Sequence, residues 1–144
     1  MRKLRLFLLL MIFAMLLGGC GKEEITEGET VVYHLNKDGT SIVPVAYEIT
    51  GDSPEVRVEE LLAKLEEVPE SVDLRRTIPE NVKISSYTLD RKQLYVDFNA
   101  EYLKLDKATE VLVRAAIVKT MVQIEEVSFV GIRVMGEALK DSKG

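Results

Sequence analysis

The stretch Lys107 to Ile124, KATEVLVRAAIVKTMVQI, decides the fold, because its apolar residues recur at helical spacing along its whole length. An apolar face this broad predicts a helix that is almost completely buried against a sheet. We therefore expect this segment to be the central helix of the domain. Its predicted buried residues are Val111, Leu112, Ala115, Ala116, Val118, Met121, Val122 and Ile124.

Short runs of β-branched and aromatic residues outside this helix predict strands. Turn residues at 36–39 and 90–92 join two pairs of these runs, so each pair predicts a β-hairpin. Pro44 has no N–H to donate, which favours a place at a sheet edge or a bulge for the second strand. The predicted strands cover residues 31–35, 42–49, 82–87, 93–98 and 127–136.

A second helix is predicted to begin at Ser53 and Pro54, where Ser53 can cap free N–H groups and Pro54 suits the first helical position. The order β-β-α-β-β-α-β predicts an α+β domain with a mostly antiparallel sheet of four to five strands and two main helices packed on one face. The expected buried stripe of this helix is Val58, Leu61, Leu62, Leu65 and Val68.

The N-terminus has the pattern of a secretory signal. Three basic residues within the first five precede an uninterrupted apolar run from Leu6 to Leu17. As a helix this run would be roughly 18 Å long at about 1.5 Å per residue, well short of the roughly 30 Å hydrocarbon core of a bilayer. We interpret it as the hydrophobic region of a signal peptide that covers residues 1–19.

The signal ends in Leu17-Gly18-Gly19-Cys20, which resembles a lipobox. Cleavage between Gly19 and Cys20 would leave the only cysteine of the chain first, with its thiol free to form the diacylglyceryl thioether. Two acyl chains are enough for stable anchoring, whereas one is not. We therefore expect a protein anchored to the cell membrane through Cys20, on its extracytoplasmic face. The alternative, an unmodified cysteine, would leave the charge, length and spacing of the segment unexplained.

The remaining chain divides into a predicted tether at 20–30, a domain at 31–139 and a disordered tail at 140–144. The signal contains three of the 19 basic residues and none of the 24 acidic ones, so the mature chain has a formal charge of −8. This charge argues against nucleic acid as a partner and against attraction to anionic lipid headgroups. We expect membrane attachment to depend on the lipid alone.

Residues suited to catalysis are few. His34 is the only histidine and lies in a predicted strand, where a structural role is the simpler interpretation. Asp97 with Glu101, or Glu48 with Asp52, could in principle form a carboxylate pair. A zinc site needs several Cys or His ligands, and the chain has one of each. We expect no enzymatic activity, no metal and no cofactor.

With these elements in place, residues 31–137 resemble a GerMN domain, the sporulation and spore-germination domain of exported bacterial proteins. The resemblance implies a protein without known enzymatic chemistry that makes protein–protein contacts or assembles in the cell envelope. The motifs that carry it are Val32-Tyr33, Val43-Pro44-Val45, Leu61-Leu62, Thr77 to Ile84, Leu94 to Phe98, Ile117 to Met121, and Val127 to Glu137.

Three functions therefore remain open from the sequence. The first is a lipid-anchored module that binds an envelope protein or assembles with itself, in sporulation or germination. The second is a small solute- or glycan-binding lipoprotein, for which a deep apolar cleft with converging polar groups would be expected. The third is an enzyme, which would need a buried carboxylate pair with perturbed pKa values.

Overall fold

The computed structural model describes residues 25–26 and 28–140. The predicted signal peptide, Cys20, most of the predicted tether and residues 141–144 of the predicted tail lie outside the described residues. The described strands are β1 Val31–Asn36, β2 Ile42–Ala46, β3 Leu74–Arg75, β4 Ile84–Asp90, β5 Gln93–Phe98, β6 Phe129–Val134 and β7 Glu137–Ala138. The α-helices are α1 Pro54–Glu66 and α2 Lys107–Met121, and a 3₁₀ helix, Ala100–Lys104, lies between β5 and α2.

The α+β class is confirmed, but the strands form two sheets where one sheet was predicted. One sheet has the order β2-β1-β3 and the other β4-β5-β6-β7. Two-residue β3 occupies the second side of β1, and two-residue β7 extends the other sheet. Both strands are too short to give an alternation signal. Four of the five strand pairings are antiparallel, and β5 and β6 run parallel because α2 provides the crossover between them.

The local predictions for the hairpins and for the start of α1 are confirmed. β1 pairs with β2 and β4 with β5, and Pro44 lies in β2, which is an edge strand. Ser53 caps α1, its Oγ accepting a hydrogen bond of 3.3 Å from the backbone N–H of Val56. Val68 was wrongly placed on the buried stripe, because α1 ends at Glu66 and the Val68 side chain is 71% exposed.

Both helices share one hydrophobic core with the inner face of the four-stranded sheet. Tight packing of this kind is the main source of stability in a domain that lacks an internal disulfide. The fully buried large side chains include Tyr102, Phe98, Leu61, Leu65, Ile78, Leu94, Ile117 and Met121.

Three side chains complete the open side of β1 where β3 does not reach it. The Val31 N–H donates to Oε1 of Gln123 at 2.9 Å, and Nε2 of Gln123 donates to the Val31 carbonyl at 2.7 Å. Thr120 accepts from the Tyr33 N–H at 3.1 Å, and the Thr77 hydroxyl donates to the Tyr33 carbonyl at 2.8 Å. These contacts replace the backbone partners of a longer third strand, so α2 is fixed along β1.

The prediction of a nearly buried α2 is wrong. Its buried side is narrower, and Val111 and Val122 are 52% and 44% exposed. The helix ends at Met121, and its other side lies at the surface of the domain. α2 therefore presents an apolar stripe to solvent. The residues that it buries are Val113, Ala116, Ile117, Thr120 and Met121.

Candidate functional site

A groove of about 860 Å³ runs along the outward side of α2. The 3₁₀ helix before α2 and the segment after β7 form its other walls. Leu103 and Val111 are its most exposed apolar members, at 63% and 52%. Contiguous exposed apolar surface of this kind usually marks a contact site. The apolar lining consists of Leu103, Leu105, Val111, Ala115, Val118 and Leu139.

The rim of this groove is positively charged although the protein is acidic. Lys107, Arg114, Lys119 and Lys140 line it together with a single acid, Glu110, so its formal charge is +3. Within the described residues, none of the three lysines forms an ion pair. We call this surface, the apolar lining with its charged rim, the basic groove.

The carboxylate of Glu110 on the rim of the basic groove contacts two other side chains. Arg114 contacts its Oε1 through Nη2 at 2.6 Å, and the buried Tyr102 hydroxyl donates to the same oxygen at 3.0 Å. Burial, followed by the nearby Glu110 carboxylate, raises the pKa of Tyr102, so its hydroxyl stays protonated and continues to donate. The only acid of the rim is therefore neutralised locally.

A second surface lies on the outer face of the four-stranded sheet, on the other side from α2. Alternation along β5 and β6 buries Leu94, Val96 and Ile132 and turns Tyr95 and Arg133 outward. We call the outward-facing side chains Tyr95, Phe129 and Arg133 the aromatic platform; Phe129 is half exposed, and Tyr95 and Arg133 are partly buried. The Tyr95 and Phe129 rings meet edge to face with centroids 5.9 Å apart, and the Arg133 guanidinium lies 4.0 Å from the Tyr95 centroid.

Gly131 makes the aromatic platform possible. It lies directly opposite Tyr95 in the parallel pairing of β5 and β6. A Cβ at this position would come within 2.6 Å of Cδ1 of Tyr95 and 3.2 Å of the Phe129 ring. Any larger residue would push the Tyr95 ring off the strand, so the close approach requires glycine.

His34 lines a third candidate site, a cavity of about 640 Å³ between β2, the end of α1 and β3. Its side chain is only 7% exposed, and its Nδ1 is buried without a hydrogen-bond partner. Burial lowers the pKa of His34, with Glu67 acting to raise it and Lys64 to lower it further, so the imidazole is neutral at pH 7. No nucleophile or carboxylate hydrogen-bonds to His34 within the described residues.

The carboxylates considered from the sequence have other roles. Asp97 accepts a hydrogen bond of 3.0 Å from the Gly136 N–H in the turn between β6 and β7. Glu101 bonds to Lys104 and Asn81, which lowers its pKa. Glu48 and Asp52 are both exposed.

Two further findings concern the described part of the chain. Within residues 25–26 and 28–140, no three His, Cys, Asp or Glu side chains come together in a geometry that could bind a metal ion. In the same residues, no helix has the length and hydropathy needed to cross a bilayer.

The family model described as "Germane: Sporulation and spore germination" matches residues 31–140. The chain belongs to this family. The resemblance to a GerMN domain drawn from the sequence motifs is thereby confirmed. No curated protein sequence matches the chain.

Solved structures share the fold of this Germane chain. The tandem GerMN domains of the sporulation protein GerM from Bacillus subtilis match with a TM-score of 0.63 and 18% identity over 78% of this chain, which spans 41% of theirs. The first GerMN domain of the same protein matches with a TM-score of 0.62 and 18% identity, and the match covers 78% of this chain and 86% of that one. A candidate lipoprotein from Clostridium perfringens matches with a TM-score of 0.50 and 18% identity, and the match covers 74% of each chain.

The sequence indicated neither the aromatic platform nor the basic groove. Tyr95 and Phe129 belong to strands whose parallel pairing becomes evident only once α2 is recognised as a crossover. Within α2, Val111 and Val118 are as apolar as the buried residues, so their composition carries no sign of exposure. The lysines at 107 and 119 were the available signal, since they lie on the outward side of the helix.

Proposed function

We propose that this Germane protein is a lipid-anchored, extracytoplasmic and non-enzymatic module that binds a protein of the cell envelope during sporulation or germination. The aromatic platform is the observation that carries this proposal. Tyr, Phe and Arg side chains that pack on one another on an outward-facing surface are typical of the centres of protein interfaces. Phe129 is 50% exposed and has no covering element within the described residues.

The non-enzymatic part of the proposal is supported by what the titratable groups do. His34 is a buried neutral imidazole, and Asp97 satisfies a backbone donor in a turn. Glu110 is neutralised by Arg114. Asp97 and Glu110 thus have structural partners, and within the described residues none of the three groups hydrogen-bonds to a nucleophile.

The lipid anchor is supported by the lipobox-like sequence at 17–20 and by the fold similarity to a candidate lipoprotein. Cys20→Ser should remove the attachment site and leave the domain folded, because the described core lies entirely beyond residue 30. Membrane fractionation of cells that express each form tests this. Cys20→Ser protein that stays in the membrane fraction after processing and after a high-salt wash, which removes electrostatic contacts, would contradict the anchor.

Site-directed cross-linking tests partner binding at the aromatic platform. A photoreactive residue at Phe129 should capture a defined envelope protein in sporulating cells, and Arg133→Ala should weaken the capture. The matched control is the same residue at Val72, which is 83% exposed and lies just before β3 of the other sheet. Identical products from both positions, or no product from either in sporulating and vegetative cells, would refute the proposal.

A solute- or glycan-binding function is the second proposal, and the His34 cavity favours it. The cavity of about 640 Å³ is lined by His34 together with the polar side chains of Lys64 and Glu67, a combination that suits a small polar ligand. Because His34 is the only histidine, its imidazole signal can be followed by NMR during addition of cell-wall glycan fragments. An unchanged signal at millimolar concentrations of the fragments would exclude glycan binding at this cavity.

A further inference from the structure

We propose that the basic groove on α2 contacts the anionic phospholipid surface of the membrane and thereby fixes the orientation of the domain. The inference deepens the proposed function and rests on its lipid anchor, which keeps the domain close to a bilayer. It differs from the expectation that attachment depends on the lipid alone. The partner surface is the headgroup layer of the membrane, with anionic phosphates facing the rim and acyl chains facing the apolar lining.

The distribution of charge supports this contact even though the net charge opposes it. The mature chain has a formal charge of −8, whereas the basic groove has +3. Charges separated by more than a Debye length of about 8 Å at physiological salt are largely screened, so an approaching membrane responds to the nearest face. The acidic residues of α1 lie outside this groove, and they are Glu55, Glu59, Glu60 and Glu66.

The apolar part of the groove suits the boundary between headgroups and acyl chains. Leu103 and Val111 project from the 3₁₀ helix and from α2, and both are more than half exposed. α2 has 15 residues and is therefore about 22 Å long at 1.5 Å per residue. An apolar helix side flanked by lysines is the pattern of helices that lie in the membrane interface, with lysine stems covering apolar surface while the ammonium groups reach the phosphates.

This orientation also places the second surface usefully. The aromatic platform is on the outer face of the four-stranded sheet, and α2 packs on its inner side. With the basic groove on the membrane, the aromatic platform faces away from the lipid. The domain could then hold the membrane and an envelope protein at the same time.

The chain offers a direct test because it contains no tryptophan. A Val111→Trp variant places a single fluorophore in the basic groove, and a Val72→Trp variant places one at another exposed valine as the matched control. The full lipidated chain is reconstituted into phosphatidylglycerol vesicles whose acyl chains carry bromine, a short-range quencher. A parallel set uses brominated phosphatidylcholine.

We expect strong quenching of the Val111→Trp variant in phosphatidylglycerol, little in phosphatidylcholine, and little for Val72→Trp in either. Adding Lys107→Glu and Lys119→Glu should abolish the quenching at position 111. In the soluble Cys20→Ser form the same pair should lower the affinity for phosphatidylglycerol vesicles at least about tenfold. Thermal unfolding of every variant checks that the domain is intact.

Equal quenching at both positions, or none at position 111, would overturn the inference. So would a blue shift of the Val111→Trp emission that depends on protein concentration without lipid, because a second copy would then cover the groove. Binding of soluble glycerol phosphate with no binding of vesicles would identify a small anion site and also overturn it. A chain that fails to float with vesicles would contradict the anchor of the proposed function. The Cys20→Ser measurement would then still decide the inference.

Discussion

Gln123→Ala should destabilise the domain by about 2 kcal/mol. The substitution removes one hydrogen bond to the Val31 N–H and one from Nε2 to the Val31 carbonyl, at 2.9 and 2.7 Å. Each typical hydrogen bond contributes about 1 kcal/mol, and a backbone group left buried without a partner costs about 1–3 kcal/mol. Val31 is 7% exposed, so water replaces the lost partner poorly. Gln123 itself is exposed, so no cavity forms.

Thermal and urea unfolding followed by circular dichroism measure this change, and the midpoint should fall by about 8 °C for a domain of this size. Hydrogen exchange should accelerate more at the Val31 amide than at the Tyr33 amide, because the Tyr33 N–H still donates a hydrogen bond to Thr120. Gln93→Ala is the matched control, because the Gln93 side chain accepts a hydrogen bond only from the Tyr95 hydroxyl within the described residues. A Gln123→Ala variant within about 0.5 kcal/mol of the parent would refute the role given to this side chain.

Three further perturbations have defined outcomes. The stability of the domain should fall as the pH drops below 6.5, because burial lowers the pKa of His34 and the unfolded chain therefore binds more protons than the folded one. A pKa of His34 at or above 6.5, measured by NMR titration, would contradict this prediction. Gly131→Ala should displace the Tyr95 ring and cost about 1 kcal/mol net in urea unfolding, the lost ring contacts outweighing the backbone gain; an unmoved ring in the NMR spectrum would contradict it. Tyr47→Phe should raise the pKa of Glu60, because the hydrogen bond from the Tyr47 hydroxyl is the leading cause that holds this pKa below 4.5. Glu60 contributes stability above pH 4.5 that is lost as the pH falls through its folded pKa, and this contribution should shrink in the variant. An unchanged titration of the Glu60 carboxyl group would contradict the prediction.

The parts of the fold that could be predicted from the sequence have local causes. Ser53 and Pro54 start α1 through a cap and a fixed φ, which need no knowledge of the rest of the chain. The two hairpins follow from turn residues between alternating runs. Their positions agree with the expectation because each depends on a few neighbouring residues.

The parts that could not be predicted depend on contacts between distant segments. β3 exists because Leu74 and Arg75 meet the end of β1, and a two-residue strand has no pattern of its own. Together with the side chains of Thr77, Thr120 and Gln123, this pairing occupies the edge of β1 that a strand of the other sheet would need. The exposure of Val111 depends on which side of α2 meets β1, and an apolar helix does not encode that choice in its periodicity.

The candidate surfaces show the same limit. The aromatic platform joins Tyr95 to Phe129 and Arg133 across the parallel pairing of β5 and β6, more than thirty positions apart in the chain. Counting Cys and His residues in the sequence argued against a zinc centre, but the sequence provided no means of aligning two strands separated by a 3₁₀ helix and α2. Composition therefore indicates which kinds of site to doubt more readily than it locates a contact surface.

The side chains that complete β1 set an order for folding. The partners of Val31 and Tyr33 are Gln123, just after α2, and Thr120, in its last turn; they are 92 and 87 positions later in the chain. When the chain emerges with its N-terminus first, from a ribosome or a translocation channel, the hairpin of β1 and β2 can form early. The other side of β1 must wait until almost the whole domain has emerged. During that interval β1 is an unprotected strand edge, and a chaperone or translocation partner that covers it would have its greatest effect then.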